Sequence, residues 1–110
     1  MSRYRQGYKV FSIRRDDNGR KRRYGPYSNV EYKAGVGVWT PDRKPRLCVS
    51  GWHLYPKDGP ARILREVNQW ARELWLVEYR GKTHQARPGT KIAAQSIRLI
   101  KRLEKATDYP

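Results

Sequence analysis

The sequence predicts an α+β domain. A mainly antiparallel sheet carries one amphipathic helix over about residues 59–73 and a projecting basic hairpin at the N-terminus. Three observations lead there. An Asn18-Gly19 step separates two strand-like runs near the N-terminus. Apolar residues from Ile63 to Leu74 recur at helical spacing. Strand-like runs lie on both sides of that stretch. At 110 residues the chain suits a single domain with a modest core, without internal repeats or a linker.

Tyr8 to Arg15 has strand composition, with Val10, Phe11 and Ile13 among polar residues. Asp16-Asp17-Asn18-Gly19 supplies a hairpin turn, and Arg20 to Tyr24 returns as a second strand before Gly25-Pro26. Residues 1–27 thus make a basic hairpin region. Asn29 to Trp39 is a third strand, interrupted by Gly35 and Gly37, and 41–45 is a loop between prolines. Arg46 to Tyr55 is a short strand running into a turn closed by Pro56.

Asp58 then serves as N-cap, with Pro60 in the first helical turn. Ile63, Leu64, Val67, Trp70, Ala71 and Leu74 share one face of the helix, and Arg62, Arg65, Gln69 and Arg72 form a basic ridge opposite. Leu74 to Tyr79 is a strand ended by Gly81, and 82–90 is a polar loop. The stretch from Lys91 to Leu103 fits either period; a strand over about 96–101 gives the 74–79 strand a partner. Residues 104–110 are a frayed tail.

Composition bounds the function. Lys and Arg number 25 against 10 Asp and Glu, a formal net charge of +15. The isoelectric point is near 10.5 and the mean hydropathy −1.00. Aromatics at 12% separate the chain from charge-rich disordered segments, which are poor in them. The lone Cys48 cannot form an internal disulfide, and His53 and His84 have no zinc-ligand spacing, so neither metal nor cofactor is expected. No apolar run is long enough to span a membrane, and Met1 to Arg5 lacks the apolar segment of a signal peptide. The cytoplasm, or a host's cytoplasm for a phage product, is the expected compartment.

Residues 1–23 hold 9 basic and 2 acidic residues, nearly half of the surplus charge. Nucleic acid or a nucleoprotein complex is the expected partner. Arg14, Arg15, Arg20, Lys21, Arg22 and Arg23 are the candidate phosphate contacts, and Tyr24 and Tyr27 the candidate stacking rings. Bases alternate along residues 20–23, so both strand faces are basic and the tip is expected to project into solvent or a partner. Arg62, Arg65 and Arg72 form a second candidate surface on the helix ridge. An inhibitor or adaptor that docks on an acidic protein is the alternative use of the same charge.

Catalytic templates are sparse. There is no Walker loop and no HExxH, and no spacing points to a Ser-His-Asp set. His53 and Glu78 are the only candidates for acid–base chemistry, and Cys48 fits a small buried apolar position better than a nucleophile.

Leu47-Cys48-Val49-Ser50-Gly51-Trp52-His53, then a helix, then Leu76-Val77-Glu78-Tyr79-Arg80-Gly81 and a basic Ile-Arg-Leu-Ile strand follow one another over residues 30–102. This order resembles a small family of phage and bacterial domains with a C-x-S-G-[aromatic]-H motif followed by a V-E strand. That resemblance implies a phage- or bacterium-derived protein and brings no activity with it. The order also resembles ADP-ribosyltransferase folds. There Gly51, Trp52 and Tyr55 would flank a nicotinamide pocket for NAD, and Glu78 would be the acid. The early His-Gly or Arg motif of those enzymes is absent from the first strand.

Overall fold

The computed structural model describes residues 3–25, 30–47, 50–57 and 72–103. They form six strands: β1 (Arg5–Arg15), β2 (Lys21–Tyr24), β3 (Glu31–Tyr32), β4 (Trp52–Pro56), β5 (Arg72–Gln85) and β6 (Ile92–Leu103). The strand order is β3-β2-β1-β4-β6-β5, and a further pairing of β1 with β5 closes the sheet on itself. Strands β1, β4, β6 and β5 therefore make a ring, in which each strand has a hydrogen-bonded neighbour on both sides over part of its length. β1 achieves this by changing partners along one side: Gly7 and Tyr8 pair with β4, and Ser12 to Arg15 pair with β2. Its other side runs along β5 from Arg5 to Ser12.

The expected α+β class is thereby corrected. Every strand pairing is antiparallel, and the described residues contain no helix. Most of the expected helix, residues 59–71, lies outside the described residues, as does its expected N-cap Asp58. Its last two positions are strand, with Arg72 opposite Ser12 and Glu73 opposite Phe11. The reason is tertiary: β1 offers backbone partners as far as Ser12, and continuing that ladder fixes residues that periodicity alone assigned to a helix.

The hairpin turn falls as expected, with Asp16 Oδ1 accepting the Asn18 and Arg20 amides at 2.9 Å. Other boundaries move: β1 begins at Arg5 rather than Tyr8, and the expected 46–55 strand is reduced to Trp52–Pro56. β5 runs through Gly81 to Gln85, so 82–85 is strand rather than loop. Gly81 permits this with a φ of +81° at a register shift between Arg80 and Thr83, and a Cβ there would stand 2.5 Å from Gln95 Oε1. β6 is longer than its expected six residues at both ends. The expected 29–39 strand shrinks to Glu31–Tyr32.

Beyond β3 the backbone instead follows β6. The Gly37, Thr40 and Arg43 amides donate to the Leu99, Ile97 and Gln95 carbonyls at 2.8, 2.9 and 2.9 Å. Thr40 Oγ1 accepts the buried Ile97 amide at 3.0 Å, and Ser96 Oγ donates to the Thr40 carbonyl at 2.7 Å. These bonds satisfy the side of β6 that β4 reaches only at 92–94.

The main core gathers Phe11, Trp52, Leu54, Trp75, Val77, Tyr79, Ile97 and Leu99 with Tyr32, Ile92 and Ala94. A second cluster of Tyr8, Val10, Leu74 and Leu103 alternates with it along β1 and β5, so both faces of those strands are apolar. Gly7 lets β4 approach: a Cβ there would lie 2.5 Å from the Tyr55 carbonyl oxygen.

Two carboxylates, Glu73 and Glu78, are buried beside these apolar residues, and Glu73 gathers the larger set of partners. Glu73 is 3% exposed. It receives Lys21 Nζ, Arg23 Nε at 3.0 Å and Trp75 Nε1 at 3.0 Å, with Arg102 Nη1 at 3.6 Å. Burial alone would raise its carboxyl; the bonds from Lys21, Trp75 and Arg23 and the Arg102 charge outweigh this and hold it at about 2. The folded value lies below the unfolded one, so the carboxylate stabilises the fold above about 4.5, and that contribution is lost as pH falls towards 2.

Glu73→Gln should lower the unfolding free energy by about 3 kcal/mol in urea titrations at neutral pH. The wild-type protein should lose a similar amount on acidification from about 4.5 to 2, a window in which the Gln variant responds less. An unchanged midpoint for the variant would contradict the role given to Glu73.

Candidate nucleic-acid interface

The expected contacts on the N-terminal hairpin divide into two groups. Lys21 and Arg23 point to Glu73. Arg22 bridges Asp16 at 3.1 Å and Glu31 at 2.9 Å, and these two carboxylates hold its guanidinium more firmly charged than usual. Lys21, Arg22 and Arg23 are therefore internally paired. The hairpin's tip is different. Arg14, Arg15 and Arg20 are exposed; Arg14 lies 4.6 Å over the half-buried Tyr24 ring, and Arg15 Nη1 donates to the Gly19 carbonyl at 2.9 Å. Arg72 is half-buried on β5. Tyr27, Arg62, Arg65 and Cys48 lie outside the described residues.

A second set of arginines, not singled out in the sequence, lies over aromatic rings. Arg5 stands 4.7 Å over Tyr79, Arg80 4.2 Å over Trp39, and Arg43 4.0 Å over Trp52. Arg98 also contacts Trp39, at 4.7 Å, but its charge is matched by the buried Glu78, at 2.6 Å. Among the described residues, no carboxylate forms an ion pair with Arg5, Arg43 or Arg80. All three are exposed.

A chain of contacts links the neighbourhoods of these residues. Tyr4 packs edge-on against Trp39 at 4.8 Å, and Trp39 carries Arg80. The Arg5 guanidinium donates to the Gly81 carbonyl at 3.0 Å, and the next amide, Lys82, donates to Gln95 Oε1 at 3.0 Å. Gln95 Nε2 donates to Asp42 Oδ2 at 3.0 Å, beside Arg43 and the Trp52 ring. The exposed Val36 and Val38 occupy the turn next to Trp39. A guanidinium stacked on a ring is already oriented, with its N–H edge and outer face open to phosphate or base. The signal missed in the sequence was the recurrence of single arginines within a few residues of tryptophan or tyrosine, which has no period until the strands are paired.

His53 and Glu78 do not meet. On β6 their neighbours are Ala93 and Arg98, five positions apart, or roughly 16 Å at ~3.3 Å per residue. Glu78 is 2% exposed and bonded to Arg98 Nε at 2.7 Å. Trp52 Nε1 donates to the Pro41 carbonyl at 2.8 Å. His53 instead stands near two lysines, and burial followed by the Lys9 and Lys91 charges lowers its pKa.

Lys9 is the unusual member of that group. It is partly buried, its ammonium lies 5.7 Å from the core ring of Phe11, and no described carboxylate forms an ion pair with it. Burial and then the Lys91 charge lower it to about 8. Among the described residues there is no group of three or more potential metal ligands, and no helix long and apolar enough to cross a membrane. Comparison of the chain with protein-family models, with curated proteins and with solved structures finds no match.

The Lys9 environment has a measurable sign. Its folded value lies below the unfolded 10.5, so the unfolded chain holds more protons between about 8 and 10.5, and stability rises with pH across that window. Lys9→Met should therefore stabilise the protein at neutral pH, by about 1–3 kcal/mol. Its advantage should shrink as pH rises from 8 towards 10.5, measured by denaturant unfolding at several pH values. A destabilised Met variant would contradict this account of Lys9.

Proposed function

We propose that the protein binds nucleic acid along the surface carried by Arg5, Arg80 and Arg43, with the hairpin tip adding unspecific charge. The supporting observation is that these three exposed arginines rest on aromatic rings and lack a carboxylate partner among the described residues. A repeating anion supplies the missing partners. Guanidinium groups fork to phosphate oxygens and stack on bases, and those already held by a ring lose less freedom on binding. The formal charge of +15 adds long-range attraction that salt screens. The hairpin run suits this role less well, because Lys21, Arg22 and Arg23 would have to leave Glu73, Asp16 and Glu31.

Polarisation titrations with labelled single-stranded and duplex oligonucleotides test the proposal. Affinity should fall with salt on a log–log line, by about 0.7 per phosphate contacted on a single strand and about 0.9 on a duplex. The Arg5→Ala, Arg80→Ala double variant should flatten the single-strand slope by about 1.4. Arg15→Ala with Arg20→Ala should weaken binding less. Absence of binding to either form at low salt would overturn the proposal and favour an acidic protein partner. Equal or greater loss in the tip variant would move the interface to the hairpin.

A further inference from the structure

Beside Arg43 the surface is hollow. An open cavity of about 620 Å³ lies between residues 42–45 and the β5–β6 hairpin, lined by Asp42, Arg43, Lys44, Lys82, Thr83 and His84. The volume is in the range of small-ligand sites, enough for one nucleotide.

Its polar groups are biased towards donors. His84 Nδ1 accepts the Leu47 amide at 3.0 Å, which leaves the ring proton of the neutral imidazole on Nε2 as a donor. The Asp42 carboxylate accepts Gln95 Nε2 through Oδ2 at 3.0 Å. The Arg43 guanidinium is held over Trp52 at 4.0 Å. Arg43, Lys44 and Lys82 against Asp42 leave a surplus of two positive charges at the cavity wall. A phosphodiester within a strand carries one negative charge, whereas a phosphate monoester carries about 1.5 to 2 at neutral pH.

We propose that this cavity receives a phosphate monoester, as found at the end of a nucleic-acid strand, with Lys44 and Lys82 as its cationic contacts and His84 Nε2–H as a neutral donor. The proposal deepens the nucleic-acid reading and rests on it for the identity of the ligand. The monoester is favoured because it matches both the charge surplus and the donor-rich wall. It also has an end that can enter a concavity, while a mid-strand phosphate is flanked on both sides by sugar.

The test compares one oligonucleotide sequence carrying a 5′-phosphate, a 3′-phosphate or only hydroxyl ends, alongside inorganic phosphate and a nucleoside monophosphate. One of the two phosphorylated strands should bind on the order of tenfold tighter than the hydroxyl-ended strand, and which one does identifies the end. In a Lys82→Ala, His84→Ala double variant that preference should fall to within about twofold of none. Equal affinity for all three strands, or a preference kept by the double variant, would overturn the proposal. If no oligonucleotide binds, the nucleic-acid reading fails by itself. The cavity is then judged by the His84 ring proton signals during titration with inorganic phosphate and the monophosphate. A saturable shift supports a monoester site, and flat signals overturn it.

Discussion

The fold depends on one buried carboxylate. Strands β1 and β2 face each other with Arg14 opposite Arg22 and Arg15 opposite Lys21, an arrangement of like charges that cross-strand pairing normally disfavours. Glu73 makes it tenable. It draws Lys21 and Arg23 of β2 towards β5, reaches Arg102 of β6 and accepts the indole N–H of Trp75, so one side chain joins three strands around the end of the core. Asp16 and Glu31 perform the same service for Arg22 at the outer edge. A carboxylate this buried is stable only with such a complement of donors, and removing any of them leaves it under-satisfied.

That constraint also sorts the charge. Acids are scarce, and Asp16, Glu31, Glu73 and Glu78 are held against Lys21, Arg22, Arg23, Arg98 and Arg102. Of the positive groups left over, Arg5, Arg43 and Arg80 have rings as neighbours, while Arg15 and Arg20 stay exposed at the hairpin tip. Ion pairing fixes the barrel, and ring stacking orients the surface that faces outward. The distinction is chemical: a guanidinium on an indole keeps its full charge and its hydrogen-bonding edge for a partner, while one bonded to a carboxylate does not.

Much of the fold was legible in local signals. The Asp16 to Gly19 turn and the two strands beside it follow from turn chemistry, which acts within four residues. The 74–79 strand and the choice of strand for 96–101 also held, because their apolar residues alternate and pair with each other. What failed was set by partners distant in sequence. The closure of the ring by β1 and β5 has no local signature, and it carries Arg72 and Glu73 into strand against their helical spacing. Gly81 resembled a stop because a glycine that ends a strand and one that bends it through a bulge look alike without the facing strand. The candidate site turns on partners distant in sequence in the same way. Local charge density pointed to the hairpin, and the carboxylates that pair with part of that charge lie up to 52 residues away in sequence.

The most direct measurement is the response of individual arginine side chains to an oligonucleotide, read from their Nε–H signals by NMR. The account predicts that Arg5, Arg43 and Arg80 shift and gain protection from solvent exchange as the oligonucleotide is added. Arg22 and Arg23 should keep their free-state signals, since their partners are already in place. Shifts centred on Arg22 and Arg23, with Arg5, Arg43 and Arg80 unmoved, would contradict it.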